Sequence, residues 1–124
     1  MSEAVRRISP EERTEGSPTA GMTREEAVAT EGMWAGLVRT EPGMVSDWHH
    51  HGDYETTSYV LSGTIRMEFG AGGAVTADAG PGDFLFVGKN AIHRETSTSD
   101  EESRMIVVRA GSGQVVFNVE GPEA

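Results

Sequence analysis

The sequence predicts an all-β protein whose short antiparallel strands close into a sandwich or barrel. Glycine is abundant, at 16 of 124 residues, while only 36% of the residues are hydrophobic, which is typical of short strands separated by many turns. Short apolar segments recur at nearly regular spacing over residues 33–119, with turn residues between them. In one of these segments Ile65, Met67 and Phe69 alternate with charged side chains, which is the two-residue period of a half-buried strand.

Residues 1–32 differ from the rest of the chain and are predicted to form a polar N-terminal arm. Pro10 and Pro18 interrupt any periodic pattern there. Thr23 and Glu26 have the three-residue spacing of a capping box, which predicts a short helix over residues 24–30. The alternative is a mobile arm without regular structure.

Eight later segments are predicted to be strands, because each is bounded by clusters of Gly, Pro, Ser or Asp. These segments are 33–39, 55–61, 64–69, 74–78, 83–87, 91–95, 104–109 and 114–119. The predicted barrel therefore spans residues 33–119 and leaves residues 120–124 as a tail.

Composition restricts the partners and cofactors. The formal net charge of −10 should repel phosphate backbones and anionic membrane surfaces, so neither nucleic acid nor membrane is an expected partner. The chain has no cysteine, which excludes disulfides, thiolate zinc sites and iron–sulfur clusters. A metal would have to be held by histidine and carboxylate. We find neither an apolar segment of membrane-spanning length nor a signal-peptide pattern, and we expect a cytoplasmic protein.

The histidines are the strongest indication of chemistry. Three of the four are consecutive, and in an extended segment His49 and His51 project to one face while His50 projects to the other. His93 lies in another predicted strand, which an antiparallel sheet could place opposite this pair. Glu55 follows His51 by four residues. Three imidazoles and one carboxylate suit one divalent iron, manganese, nickel, zinc or cobalt ion per chain.

These residues resemble the two conserved motifs of the cupin superfamily, and most closely its small single-domain members of the cupin 2 type. The residues that resemble the first motif are Gly43, His49, His51, Glu55 and Gly63. Gly82 and His93 resemble the second motif, and the resemblance covers roughly residues 33–119. It implies a double-stranded β-helix, or jelly roll, with a metal inside the barrel mouth. It also implies a homodimer that pairs through sheet edges.

The acidic ligand is ambiguous. The first motif usually leaves six residues between its Glu and its closing Gly, whereas Glu55 and Gly63 leave seven. Counting back from Gly63 puts Thr56 in the place of the acid. We favour Glu55 as the ligand, with a β-bulge that absorbs the extra residue. The alternative is a site of three histidines and water.

Alternation of side chains along the strands adds weaker candidates for catalytic and substrate-binding residues. Asp47 shares a face with the first two histidine ligands and Glu95 shares one with His93, so either could hydrogen-bond a ligand imidazole or act as a base. Thr57, Tyr59 and Leu61 share a face with Glu55 and are candidates for the substrate pocket. A structural or solvated role is the simpler interpretation for each of them.

The resemblance implies a metal-dependent enzyme acting on a small molecule, and a dioxygenase or other oxidoreductase that takes an enolic or chelating substrate is our first expectation. A metal-dependent isomerase with Glu95 as base is a second enzymatic hypothesis. The alternative from another class is a non-catalytic sensor that binds a metal or a small molecule. A full set of ligands favours the enzyme, provided that Glu55 is one of them.

Overall fold

Antiparallel strands make up most of the chain in the computed structural model, which describes residues 4–123. Residues 1–3 of the predicted arm and residue 124 of the predicted tail lie outside the described residues. The strands are β1 (Thr14–Glu15), β2 (Met22–Ala29), β3 (Met33–Thr40), β4 (His49–His50), β5 (Glu55–Ser62), β6 (Ile65–Phe69), β7 (Val75–Ala79), β8 (Phe84–Val87), β9 (His93–Ser97), β10 (Ser103–Ala110) and β11 (Phe117–Asn118). Two short 3-10 helices occupy Pro10–Glu12 and Ala71–Gly73.

The strands form two sheets that pack face to face. The six-stranded sheet has the order β1-β2-β3-β10-β5-β8, and the five-stranded sheet has the order β11-β4-β9-β6-β7. The pairings between these strands are antiparallel. Neighbours in a sheet are often far apart in sequence, as in a jelly roll. The predicted all-β, double-stranded β-helix fold is confirmed.

The helix predicted over residues 24–30 is wrong, because this segment belongs to strand β2. The strand pairs with β3 from Met22 opposite Thr40 to Ala29 opposite Trp34. Met22 and Arg24 are buried while the residue between them is exposed, which is the alternation of a strand. Pairing along the whole of β3 outweighs the local preference expressed by one capping box. Much of the predicted arm is therefore part of the six-stranded sheet.

The register of the strands divides the barrel interior into two ends. At one end Met105 of β10 lies between Val38 of β3 and Val60 of β5, and these residues belong to the hydrophobic core. At the other end of the same strand, Arg109 lies between Trp34 of β3 and Thr56 of β5. The inward face of β10 therefore changes from apolar to polar over four residues.

Gly63, the closing glycine of the first motif, makes the turn between β5 and β6. Its φ of +72° lies in the left-handed region that favours glycine. A Cβ at this position would lie only 2.8 Å from the Cα of Ser103. The turn therefore needs glycine both for its backbone conformation and for its close approach to β10.

The outer face of the six-stranded sheet is apolar around β8, which ends the sheet. Phe84 and Phe86 on β8 are 71% and 68% exposed. Four further exposed apolar side chains lie on the outer face of the neighbouring strands β5 and β10: Tyr59, Leu61, Ile106 and Val108. Phe84 is paired with Tyr59, which in turn is paired with Ile106, so these three side chains form a row across the strands.

Within residues 4–123, no helix has both the length and the apolar character needed to span a bilayer.

Candidate metal centre

Three of the four predicted ligands meet inside the barrel. Strands β4 and β9 pair so that His49 lies directly opposite His93, and His51 follows on the same face as His49. One nitrogen from each of the three buried rings lies within 4.8 Å of the other two. The ring of His49 is centred 4.3 Å from that of His93, and the ring of His51 is centred 5.1 Å from both. The sheet register predicted from the sequence therefore brings these rings together.

Hydrogen bonds to the backbone orient each imidazole. The Nδ1 atoms of His49, His51 and His93 each lie 2.8 Å from a carbonyl oxygen, of Asp47, Val115 and Ala91 respectively. A carbonyl only accepts, so each Nδ1 carries the proton and donates it. The lone pair of each ring is then on Nε2, the tautomer that metal-binding histidines use.

The surroundings keep the three rings neutral. Burial, with the neighbouring His93 and Arg24 in addition, lowers the pKa of His49 to about 2. Burial also lowers the pKa of His93 to about 4. The pKa of His51 is lowered strongly, first by burial and then by the charge of Arg109. Neutral imidazoles at pH 7 are ready to bind a metal without releasing a proton.

The histidines also meet a second requirement for a metal site. The Nε2 atoms of His49 and His93 are buried and have no hydrogen-bond partner among the described residues. Buried polar atoms are rarely left unsatisfied, so two unpaired Nε2 atoms beside a third imidazole fit a cation. Imidazole suits the divalent ions that the sequence predicts, and the three rings would hold one such ion.

The structure does not bring Glu55 to this cluster, which corrects the preferred assignment of the fourth ligand. Inward and outward side chains alternate along β5, and Glu55 is exposed while Thr56 is buried. Thr56 pairs with Arg109, whose side chain is also inside the barrel. A bulge that turned Glu55 inward would have to lie between these residues and Gly63. A register shift does lie there, since Arg104 pairs with Ser62 and Met105 with Val60, which skips one residue of β5. Thr56 nevertheless faces the interior and Glu55 the solvent.

The pocket residues predicted from the face of Glu55 are corrected for the same reason. Thr57, Tyr59 and Leu61 alternate with buried residues and lie on the outer surface of β5. Asp47 is also exposed, and its contribution to the site is the backbone carbonyl that accepts from His49. None of these four side chains faces the histidines.

Glu95 is the predicted candidate that the structure does place at the site. It is buried on the same face of β9 as His93, and its Oε1 lies 3.7 Å from the Nε2 of that residue. Its Oε2 is buried without a hydrogen-bond partner among the described residues. Burial raises the pKa of Glu95, and Arg24 and Arg109 oppose that rise. A buried carboxyl group with a raised pKa, close to a ligand, is suited to holding or moving a proton.

Two interior arginines were missed by the sequence analysis. Arg24 and Arg109 are only 2% and 3% exposed. Arg109 shares its parity in β10 with Met105 and Val107, and this alternation could have indicated an inward arginine. Arg24 carries no such signal, because the capping box formed by Thr23 and Glu26 predicts a helix for its segment.

An apolar pocket opens next to the histidines. Its volume is about 220 Å³, and His93 is one of its walls together with Met67, Phe69, Leu85 and Val87. Pockets for drug-sized ligands measure roughly 300–1,000 Å³, so this pocket suits a smaller molecule.

A jelly-roll barrel with three inward histidines on facing strands defines the class of protein: a β-barrel with a candidate metal site in its interior. The chain belongs to the cupin family, since the cupin domain family matches residues 36–109, more than half of its length. The matched segment contains the three histidines and both motifs on which the resemblance was based.

Solved structures agree with this fold. An uncharacterized conserved protein with a double-stranded β-helix domain from Klebsiella pneumoniae has a TM-score of 0.74 and 19% identity, with 94% of this chain and 98% of that chain covered. The polyketide cyclase RemF from Streptomyces resistomycificus has a TM-score of 0.73 and 18% identity, with 93% and 85% covered. Oxalate decarboxylase from Bacillus subtilis has a TM-score of 0.70 and 21% identity, and the match covers 82% of this chain but only 28% of that protein.

These identities are low, so the likeness is one of fold. No curated protein matches the sequence.

Proposed function

We propose that the protein is a metal-dependent enzyme that acts on a small, oxygen-chelating molecule, with oxidoreductase chemistry of the dioxygenase type as the first candidate. The observation that carries this proposal is the cluster of His49, His51 and His93, whose rings are neutral and held by backbone carbonyls. Three protein ligands leave positions on a divalent ion free for a substrate. A bound ion would supply Lewis-acid chemistry and, if it is iron, manganese, nickel or cobalt, also redox chemistry.

The protein's own residues would provide the rest of the site. The small apolar pocket at His93 would take the body of the substrate and exclude water. The backbone carbonyls of Asp47, Val115 and Ala91 would hold the imidazoles in one orientation when a ligand enters.

Glu95 favours a second candidate function, a metal-dependent isomerase. Its carboxyl group is buried beside His93 and has one oxygen without a partner. Isomerisation next to a carbonyl needs a group that removes a proton from one atom and returns it to another, and a carboxylate can do both. Oxidative cleavage does not require a proton to be returned to a second atom of the substrate. Replacing Glu95 with Gln should therefore abolish isomerase activity and have a smaller effect on oxygen-dependent activity.

The proposal is tested by elemental analysis of the untagged protein, by plasma mass spectrometry, beside a His49→Ala/His93→Ala variant. We expect about one divalent transition metal per chain in the wild type and none in the variant. The matched control is His50→Ala, because the ring of His50 stacks on Phe117 at 4.8 Å and belongs to a different environment. This control should keep the metal.

The metal found directs the next assay. Bound iron, manganese or nickel calls for oxygen-uptake measurements with enolic substrates. Zinc would direct the search toward isomerisation. Failure of the wild type to hold or regain any metal would overturn the enzyme proposal in favour of a non-catalytic binder.

We also propose that the protein forms a homodimer through the outer face of the six-stranded sheet. Strand β8 ends that sheet and leaves an open edge, and the exposed Phe84 and Phe86 are continuous with it. Exposed apolar patches next to open edges promote association, and a second copy presents the same edge and the same patch about a two-fold axis. The expected ligand is a small molecule and not a nucleic acid or a membrane. A cytoplasmic location remains a prediction from the sequence.

A further inference from the structure

Arg109 is a buried cation with unused hydrogen-bond donors. Its guanidinium carbon lies 4.6 Å from the centre of the Trp34 ring. Its Nε and one terminal nitrogen, Nη1, are buried without a hydrogen-bond partner among the described residues. A guanidinium stays charged in proteins, and burying it without an anion is costly. Stacking on Trp34 compensates only part of that cost.

The interior as a whole carries more positive than negative charge. The buried charged side chains among residues 4–123 are Arg24, Arg109 and Glu95, and the three buried histidines are neutral. None of the ion pairs formed within this part of the chain includes either arginine. Two cations against one carboxylate leave an excess of positive charge, and a divalent ion would increase it. This contrasts with the −10 charge of the whole chain.

The two arginines are not equivalent. Arg24 donates to the carbonyl oxygen of Ser17 at 3.0 Å and to the hydroxyl oxygen of Thr19 at 2.7 Å, so part of its guanidinium is already used. Arg109 lies directly opposite Thr56, whose hydroxyl is also buried and unpaired. Thr56 is paired on its other side with Val87, which is a wall of the pocket at His93. The unpaired donors of Arg109 therefore lie one strand away from that pocket wall.

The sequence around Thr56 explains why Arg109 is free. Counting back from Gly63 places Thr56 at the position of the first motif's acidic residue. A carboxylate at this inward position would pair with Arg109 across the strands and neutralise it. Threonine offers a hydroxyl and no charge, so both side chains remain available.

We propose that Arg109 and Thr56 form a carboxylate-binding subsite beside the three histidines, and that the ligand is a small hydroxy- or oxo-carboxylate. The planar guanidinium matches a carboxylate through two parallel hydrogen bonds. This inference rests on the proposed metal centre, since the hydroxyl or oxo oxygen of such a ligand would bind the ion. The 220 Å³ pocket limits the ligand to a few carbon atoms and favours an apolar remainder.

The test compares an acid with its neutral counterpart. Zinc-loaded protein is titrated by calorimetry with glycolate and with glycolamide, which has the same hydroxyl group but no charge. We expect the wild type to bind glycolate at least tenfold more tightly than glycolamide. In Arg109→Met this preference should disappear, with glycolate affinity reduced at least tenfold.

Matched variants separate the subsite from general effects. Arg104→Met removes the same charge from the same strand, but Arg104 is exposed and paired with Glu102, so glycolate binding should not change. Thr56→Glu should keep its zinc and lose glycolate affinity at least tenfold, because the new carboxylate occupies Arg109. Retained zinc shows that the barrel has folded.

Three results would overturn the inference while leaving the metal centre intact. They are equal binding of glycolate and glycolamide by the zinc-loaded wild type, no binding of either compound, and unchanged glycolate affinity in Arg109→Met. Absence of zinc uptake would instead count against the proposed function. Glycolate would then be titrated into the metal-free protein, where binding that depends on Arg109 supports the subsite and absence of binding overturns it.

Discussion

The two ends of the barrel interior are formed by the same strands, and the inward side chains of β10 and β5 change from apolar to polar between them. On the inward face of β10, Met105 and Arg109 are separated by one buried residue, and on β5 the same holds for Val60 and Thr56. Met105 and Val60 pack in the hydrophobic core. Arg109 and Thr56 retain buried polar atoms without partners. The position of a residue in a strand therefore decides whether its side chain is buried. Burial alone does not decide whether that side chain packs in the core or keeps polar atoms available for binding.

The difference separates stability from function. Apolar burial stabilises the fold, whereas each unpaired buried polar atom destabilises it by roughly 1–3 kcal/mol. The polar end also contains the three histidines and Glu95. We infer that the apolar end provides most of the folding free energy, and that the polar end is arranged for binding.

Among the single substitutions, the largest effect on stability is expected at the apolar end. Met105→Ala should lower the free energy of unfolding by about 2–5 kcal/mol, because it leaves a cavity in a packed core. Urea denaturation followed by circular dichroism measures this loss. The variant should keep its metal as long as it remains folded.

Arg109→Met is the contrasting variant on the same face of the same strand. It replaces a buried, unpaired cation with an apolar side chain of similar length that can still contact Trp34. The free energy of unfolding should be unchanged or higher. Equal losses in Met105→Ala and Arg109→Met would show that the two ends contribute alike.

A further prediction concerns pH and the polar end. The histidine pKa values in the folded, metal-free protein are lowered, to about 2 for His49 and about 4 for His93, while unfolded histidine titrates near 6.5. Between these values the unfolded chain binds protons that the folded chain does not. Stability should therefore fall as the pH drops from about 6.5 to about 4, by about 1.4 kcal/mol per pH unit for each histidine that stays neutral.

Glu95 acts in the opposite direction, because burial raises its pKa and the folded protein binds its proton more readily than the unfolded chain. One carboxyl group opposes three histidines, so the net stability should still decrease toward low pH. Thermal unfolding from pH 8 to pH 4 measures the slope. The slope should be smaller in His49→Ala, and a flat profile in the wild type would contradict the neutral state of the cluster.

The smallest effect on the stability of the chain is expected on the outer face. Phe84→Ser/Phe86→Ser removes two exposed rings and should change the unfolding free energy of a single subunit by no more than about 1 kcal/mol. It should nevertheless reduce the mass in light scattering from twice the 13.3 kDa of the chain to the mass of one chain. Val75→Ser, an exposed position on the other sheet, should leave the dimer intact. A wild type that is already monomeric would refute the proposed interface.

Sequence patterns predicted where the strands lie better than they predicted which side chains face the barrel interior. Alternation identified β6, and the spacing of the histidines correctly placed His49, His51 and His93 on one side of facing strands. The same reasoning failed on β5, because a residue count cannot tell which of two adjacent residues faces inward. A shift of one residue exchanges Glu55 for Thr56 and moves Tyr59 to the surface.

By itself the sequence determined the all-β barrel, the exclusion of thiolate chemistry and the histidine cluster, since these depend on composition, period and spacing along the chain. The tertiary structure decided that β2 is a strand, that Thr56 replaces a carboxylate, and that Arg24 and Arg109 lie inside. These outcomes depend on pairing between distant segments, such as β2 with β3 and β10 with β5. Local propensity is weak beside the hydrogen bonds and burial that such pairing brings, so only the folded chain fixes which charged groups face the histidines.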